Sequence, residues 1–259
     1  MSGPSSTAPV RRCLLATLVF LSLLPTTRAQ QQSPTIAIGT ILPVRLNEEI
    51  NSRKAQSGQI ITAKIMQDVP LPAGHKIPKG AVVSGIIVSS APGSHGQATV
   101  RFRLDTVELK RQKATITTNL RALASPLEVR MSQVPETSPG FGTSWAWVTT
   151  RQVGGDEVYG RYGVVTDRMS ERVGTSVADG VLVEVRAEPG SECRGKIADE
   201  NPVQALWVFS SDACGVYGSE TLLIRRAGGT DPKGQIELVS SKNEVKVRAG
   251  SGMLLRVER

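Results

Sequence analysis

The sequence is poor in the residues that most often carry chemistry. Of its 259 residues, two are His, three are Cys and 4% are aromatic. Two His and three Cys leave little material for a metal site or for His-based acid–base catalysis. Three Cys in a chain of this length also exclude a disulfide-dominated miniprotein. What is present is apolar and basic. A hydrophobic fraction of 39% is too high for a disordered chain. Lys and Arg number 31 against 23 Asp and Glu, a formal net charge of +8. These counts argue against most enzymes and imply neither a metal nor a cofactor.

Arg11 and Arg12 form a basic region, and an apolar run follows from Cys13 to Leu24. Pro25 breaks the run, and Thr27-Arg28-Ala29 before Gln30 makes a small-x-small cleavage pattern. This is the layout of a secretory signal peptide over residues 1–29. The competing reading, a retained membrane anchor, meets a length problem. The run falls well short of the roughly 30 Å of a bilayer core. Nothing after Ala29 approaches a membrane helix, so no transmembrane span is expected after cleavage. The expected location is periplasmic or secreted. Processing removes three Arg and Cys13, leaving 28 basic and 23 acidic residues, a charge of +5. Cys193 and Cys214 remain. In an oxidising compartment they are expected to pair. Closing a loop of about 20 residues would contribute about 3 kcal/mol in the chain-entropy account.

The mature chain reads as all β, in two small domains. Residues 30–125 form a basic barrel or sandwich, residues 126–143 a Pro/Gly-rich linker, and residues 144–259 a disulfide-containing β domain. In the first, Val100, Phe102 and Leu104 alternate with Thr99, Arg101 and Arg103. The apolar parity then flips to Val107 and Leu109, which predicts a bulge near Asp105-Thr106. Residues 81–88 are apolar on both faces, as in a central strand. Ala114, Ile116, Leu120 and Ala122 make one further alternating strand. Pro43 places residues 38–46 at an edge or a bend. Leu71-Pro72-Ala73-Gly74 and Ile77-Pro78-Lys79-Gly80 predict two type I turns with Pro second.

In the second domain Val181, Val183 and Val185 share a face. So do Ile236 and Leu238, Val245 and Val247, and Met253, Leu255 and Val257. The close spacing of the last three strands predicts a meander, a sandwich or a short solenoid. Eight of the ten aromatics follow residue 140, and the first domain has only Phe102. Residues 30–125 carry +7 and residues 126–259 carry −2.

Two stretches resemble known groups. Leu42-Pro43-Val44-Arg45-Leu46, followed by Ile77-Pro78-Lys79-Gly80 entering an apolar strand with Gly85, resembles the β-barrel domain of TrbI-type scaffold proteins over roughly residues 40–123. Such proteins belong to conjugation and type IV secretion machines, so the resemblance implies a barrel and a place in such an apparatus. The chain departs from that family in lacking a transmembrane helix after the signal peptide, and an apolar helical insertion that would build a pore. Trp147–Gly163 (WVTTRQVGGDEVYGRYG), Cys193-Arg194-Gly195, Ala205–Gly218 (ALWVFSSDACGVYG) and the closing Gly250-Ser-Gly-Met-Leu-Leu-Arg-Val are similar to a group of uncharacterised secreted proteins of acidobacterial type. This second resemblance covers most of residues 145–257. It implies compartment and architecture, and no site residues.

Few side chains suggest chemistry. Ser94-His95 are adjacent in a tight loop, and adjacency in sequence does not make a triad. His75 is expected in solvent. Asp156 and Glu157 are candidate paired acids of a glycan hydrolase, although Gly154-Gly155-Asp156 also reads as a hairpin turn. Trp207 is expected in the core. Arg101, Arg103, Lys110, Arg111 and Lys113 form a basic stripe able to bind anionic envelope lipid or polysaccharide. With no aromatic platform beside it, nucleic acid is not expected. The leading expectation is a non-enzymatic exported protein that binds or scaffolds in the envelope, with envelope proteins as further partners. The alternatives are a component of a secretion or conjugation apparatus, and an envelope glycan hydrolase.

Overall fold

A computed structural model describes Gly3 and residues 36–93, 96–109, 112–136, 148–185, 193 and 203–258. The expected signal peptide (apart from Gly3), Ser94-His95, Lys110, Arg111 and residues 137–143 of the expected linker lie outside the described residues. Alternating apolar residues produce strands almost throughout. In chain order they are β1 (Ile41–Leu46), β2 (Ile50–Asn51), β3 (Ile60–Ile65), β4 (Val69–Pro70), β5 (Lys76–Ile77), β6 (Val82–Ala91), β7 (Ala98–Leu109), β8 (Gln112–Thr115) and β9 (Thr118–Ala124). A helix, α1 (Pro126–Met131), comes next. Then follow β10 (Thr149–Arg151), β11 (Glu157–Tyr159), β12 (Val164–Thr166), β13 (Arg172–Val177), β14 (Gly180–Val183), β15 (Gln204–Ala205), β16 (Gly215–Tyr217), β17 (Leu222–Arg225), β18 (Ile236–Ser240), β19 (Lys246–Val247) and β20 (Gly252–Val257).

Ten strands make one sheet in the order β16-β9-β20-β1-β3-β6-β7-β18-β17, with β8 paired to β7. Its two end strands, β16 and β17, lie beside each other, so the sheet is a nearly closed barrel. A second sheet, β10 to β15 in sequence order, is a six-stranded antiparallel meander. The pairs β2–β19 and β4–β5 complete the set.

The strand order differs from the expected division into residues 30–125 and 144–259. β20 pairs with both β1 and β9, and β18 pairs with β7. The late strands thus close the sheet that the early strands begin, and Ser33–Arg259 forms one compact unit. The reason lies in the early strands, whose apolar faces and open hydrogen-bonding edges have to be covered. A meander does form, over residues 149–205, and not among the last three strands for which it was expected. Among those last strands β18 pairs with β7 and β17, β19 with β2, and β20 with β1 and β9.

Two cores result, one on each side of the β9–β20–β1 wall. Leu42, Val44, Leu46, Leu120, Met253, Leu255 and Val257 face the barrel interior with Phe102. Ile41, Ala122, Ala124 and Leu254 face the opposite way, onto Val158, Val181, Trp207 and Phe209 of the meander region. Because both faces of the wall are covered, β9 is buried at every position, its polar Thr118, Asn119 and Arg121 included.

Local chemistry explains the remaining differences. The expected bulge is present: Ser84 opposes Thr106 and Gly85 opposes Leu104, so Asp105 is the extra residue. Gly85 has to be glycine, because a Cβ there would overlap the Arg103 carbonyl. A second bulge at Arg121 separates the Leu254–Ala122 and Leu255–Leu120 pairs. It turns Ala122 away from the face of Leu120, against the expected single alternation. Pro43 sits in a central strand, not at an edge. Leu46 N–H points to β20, where it bonds Ser251 O. By alternation the missing N–H of Pro43 faces β3, whose pairing starts only at Val44. The two Pro/Gly turns are shifted by one residue. Ala73 and Gly74 carry the first with positive φ, and Gly80 occupies the third position of the second, after which Ala81 N bonds Pro78 O. The linker opens with α1, where Ser125 Oγ accepts from Glu128 N at 3.3 Å and Pro126 starts the first turn.

Candidate functional site

The described members of the expected basic stripe face outward together. Each is answered by a carboxylate. Arg101 Nε lies 3.3 Å from Glu237, Arg103 Nε 2.9 Å from Asp105, and Lys113 Nζ 2.9 Å from Glu108. Glu237 stands directly opposite Arg101 across the β7–β18 pair, and it also meets Arg225 at 3.4 Å. The charge imbalance between early and late residues is offset by the same route. Arg53 pairs with Glu244 at 3.3 Å, and Lys79 pairs with Asp179.

The candidate paired acids are not a pair. Asp156 is 1% exposed, and its Oδ2 accepts from Ser211 N at 2.7 Å. Burial pushes its pKa up. Glu157 is on the surface, where its Oε2 accepts from Tyr159 OH at 2.7 Å and its Oε1 lies 3.4 Å from Arg151. Consecutive residues of extended chain point to opposite sides. Gly154 and Gly155, both at positive φ, make the expected turn. A side chain at Gly154 would collide with Ser210 Oγ, so the 152–157 turn and the 207–213 segment fit closely together. Trp207 is buried as expected, and His75 is exposed.

Cys193 and Cys214 form the expected disulfide, with Cα atoms 5.9 Å apart. Arg121, 2% exposed, reaches it from the β9 bulge. Its Nε donates to Ala213 O at 2.9 Å and its NH1 to Cys193 O at 3.2 Å. Burial lowers the guanidinium pKa to about 10. The Tyr217 hydroxyl accepts from Cys214 N at 3.0 Å, and burial raises its pKa. The bulge aims a charged side chain at backbone carbonyls that flank the disulfide, a use to which bulges are suited.

Two concavities stand out among the described residues. The larger, about 780 Å³, lies under the meander and is lined by Met66, Val158, Val181, Trp207 and Val208, with the Lys79–Asp179 pair at its rim. The smaller, about 480 Å³, has a different character. Its apolar floor includes Leu123, Leu222 and Val247. Around it stand Arg130 of α1, Lys242, Lys246 of β19 and Arg248, with Glu244 as the one acid. Glu244 is taken up by Arg53, and Lys246 lies 3.7 Å from Glu49. Among the described residues, no carboxylate stands within ion-pair distance of Arg130, Lys242 or Arg248. Three cations beside an apolar floor can hold an anion that bulk water would otherwise solvate.

Sequence reasoning missed this groove. Lys246 and Arg248 alternate with Val245 and Val247, so one strand pattern placed them on an outward face. Nothing in the sequence brings Arg130 to them. That meeting depends on α1 following β9, which pairs with β20, which follows Arg248. The chain matches no protein-family model and no curated protein. Among the described residues no helix is long and apolar enough to cross a membrane.

Proposed function

We propose that this chain is a non-enzymatic, exported protein of the cell envelope that binds an anionic ligand in the groove beside α1. The observation that carries the reading is the convergence of Arg130, Lys242, Lys246 and Arg248, three of them without a carboxylate partner among the described residues. The signal-peptide pattern of residues 1–29 supports export, and the Cys193–Cys214 disulfide fits an oxidising compartment. The separation of Asp156 from Glu157 argues against a two-carboxylate hydrolase. The binding role expected of the Arg101–Lys113 stripe passes to this groove, because the described stripe cations already have carboxylate partners.

Exposed ion pairs contribute about 0.2–1 kcal/mol each, so useful affinity needs several cations acting together. The test is binding of a soluble polyanion such as heparin, followed by fluorescence anisotropy at rising salt. Binding should weaken steeply with ionic strength, and the double reversal Lys242→Glu/Arg248→Glu should weaken it at least about tenfold. The same reversal at Arg101 and Arg103 should change it less than about threefold. Salt-insensitive binding, or equal loss from both double variants, would remove the groove from the account.

A further inference from the structure

We propose that the occupant of this groove is the headgroup of an anionic lipid, bound at a bilayer surface with the outer face of α1 set against the acyl boundary. The proposal rests on the anion-binding reading above and names its ligand.

The added observation is the helix itself. Leu127 and Met131, at i and i+4, share the outward face of α1, and they are 53% and 56% exposed. Val134, one turn further on, is 47% exposed. The inward side of the helix is occupied by Val129, which packs in the second core. A surface helix ordinarily turns polar side chains outward. Here the outward face carries large apolar groups, with Arg130 at its flank. Pro126, Leu127 and Arg130 also line the basic groove, so the apolar face and the cations border the same opening.

A soluble anion would use the cations and leave Leu127 and Met131 in water. A molecule with an anionic head and an apolar tail satisfies both sets of groups. Basic residues beside exposed apolar ones are the combination that holds proteins at anionic bilayer surfaces. Charge complementarity supplies the sign of the headgroup, and the α1 face supplies the need for a tail. The short helix lies on the surface in this account and does not span the bilayer.

The experiment is flotation of the exported chain with phosphatidylcholine vesicles, with and without phosphatidylglycerol, beside heparin binding in solution. Every variant is compared in the same chain, so the residues ahead of Ile36 contribute equally. Binding to the phosphatidylglycerol vesicles should exceed binding to pure phosphatidylcholine at least about tenfold. Lys242→Glu/Arg248→Glu should lower both vesicle and heparin binding about tenfold or more. Met131→Ser/Val134→Ser, both outside the groove lining and without added charge, should lower vesicle binding about tenfold and leave heparin binding within about threefold. A Met131→Trp variant keeps the test open if the Ser pair fails to fold. Its emission should shift to the blue on adding phosphatidylglycerol vesicles and stay unchanged with heparin. Heparin binding without vesicle binding, or vesicle binding indifferent to Met131 and Val134, overturns the lipid proposal and leaves the anion-binding reading standing. Loss of both kinds of binding in the unmodified chain overturns both.

Discussion

Asp156 shows what burial does to a single ionisable residue. Its carboxylate has the Ser211 amide as a partner, and its pKa is still raised, with desolvation as the largest cause. A carboxyl in water titrates near 3.8. Above that value the unfolded chain releases a proton that the folded chain keeps. The folded state therefore binds more protons, and stability from this group falls as pH rises through the raised folded pKa. Replacing Asp156 by Asn keeps an oxygen for Ser211 N and removes the charge. The expected result is that Asp156→Asn gains on the unmodified chain as pH goes from 4 to 7, read as urea midpoints at both values. A difference that stays constant with pH would contradict the burial account. At this scale the sequence was partly legible. It singled out Asp156 as one of two adjacent acids and read Gly154-Gly155-Asp156 as a turn. It could not show the residue buried away from Glu157, because the partner that buries it, Ser211, lies in a distant loop.

Elements carry the clearest agreement. The flip of apolar parity between Leu104 and Val107 required one extra residue, and the extra residue is Asp105. Opposite it, Gly85 allows the Arg103 carbonyl to approach closely. Gly85→Ala is expected to cost about 2–4 kcal/mol, with backbone having to move. Thermal and urea unfolding of the variant would measure it, and a loss under about 0.5 kcal/mol would show that the bulge relaxes freely. The bulge at Arg121 was hidden, since Leu120 and Ala122 alternate with Asn119 and Arg121 as in a regular strand, and with both faces buried no exposed position marks the shift. The helix α1 was legible in principle. Ser125-Pro-Leu-Glu128 has the spacing of a capping box with proline at the first position, but six residues gave too little periodicity to stand out from a proline-rich stretch.

For the whole molecule, composition was a poor guide to partition. The basic early half and the slightly acidic later half suggested two bodies, whereas complementary charges such as Arg101 and Glu237 meet across one sheet. The fold class was readable from strand periodicity alone, and the closure of the barrel was not, because pairing between distant strands leaves no mark in either one. A chain ending at residue 143 would lose β18, β20 and the meander, leaving β1, β7 and β9 with open edges and the wall with one bare face. It should show no cooperative unfolding transition by circular dichroism and should be cut rapidly by protease. A sharp, protease-resistant transition would restore the idea of an independent first domain.

The wall at β20 also has a consequence in time. β20 follows both β1 and β9 in the chain, yet it stands between them and seals two cores at once. A chain that emerges N-terminus first therefore presents every other strand of the barrel before the one that joins them. Until Gly252–Val257 arrives, the seam between β1 and β9 stays open. The two cores then share one unfinished boundary, and the chain is committed to its folded form only when the closing strand is in place.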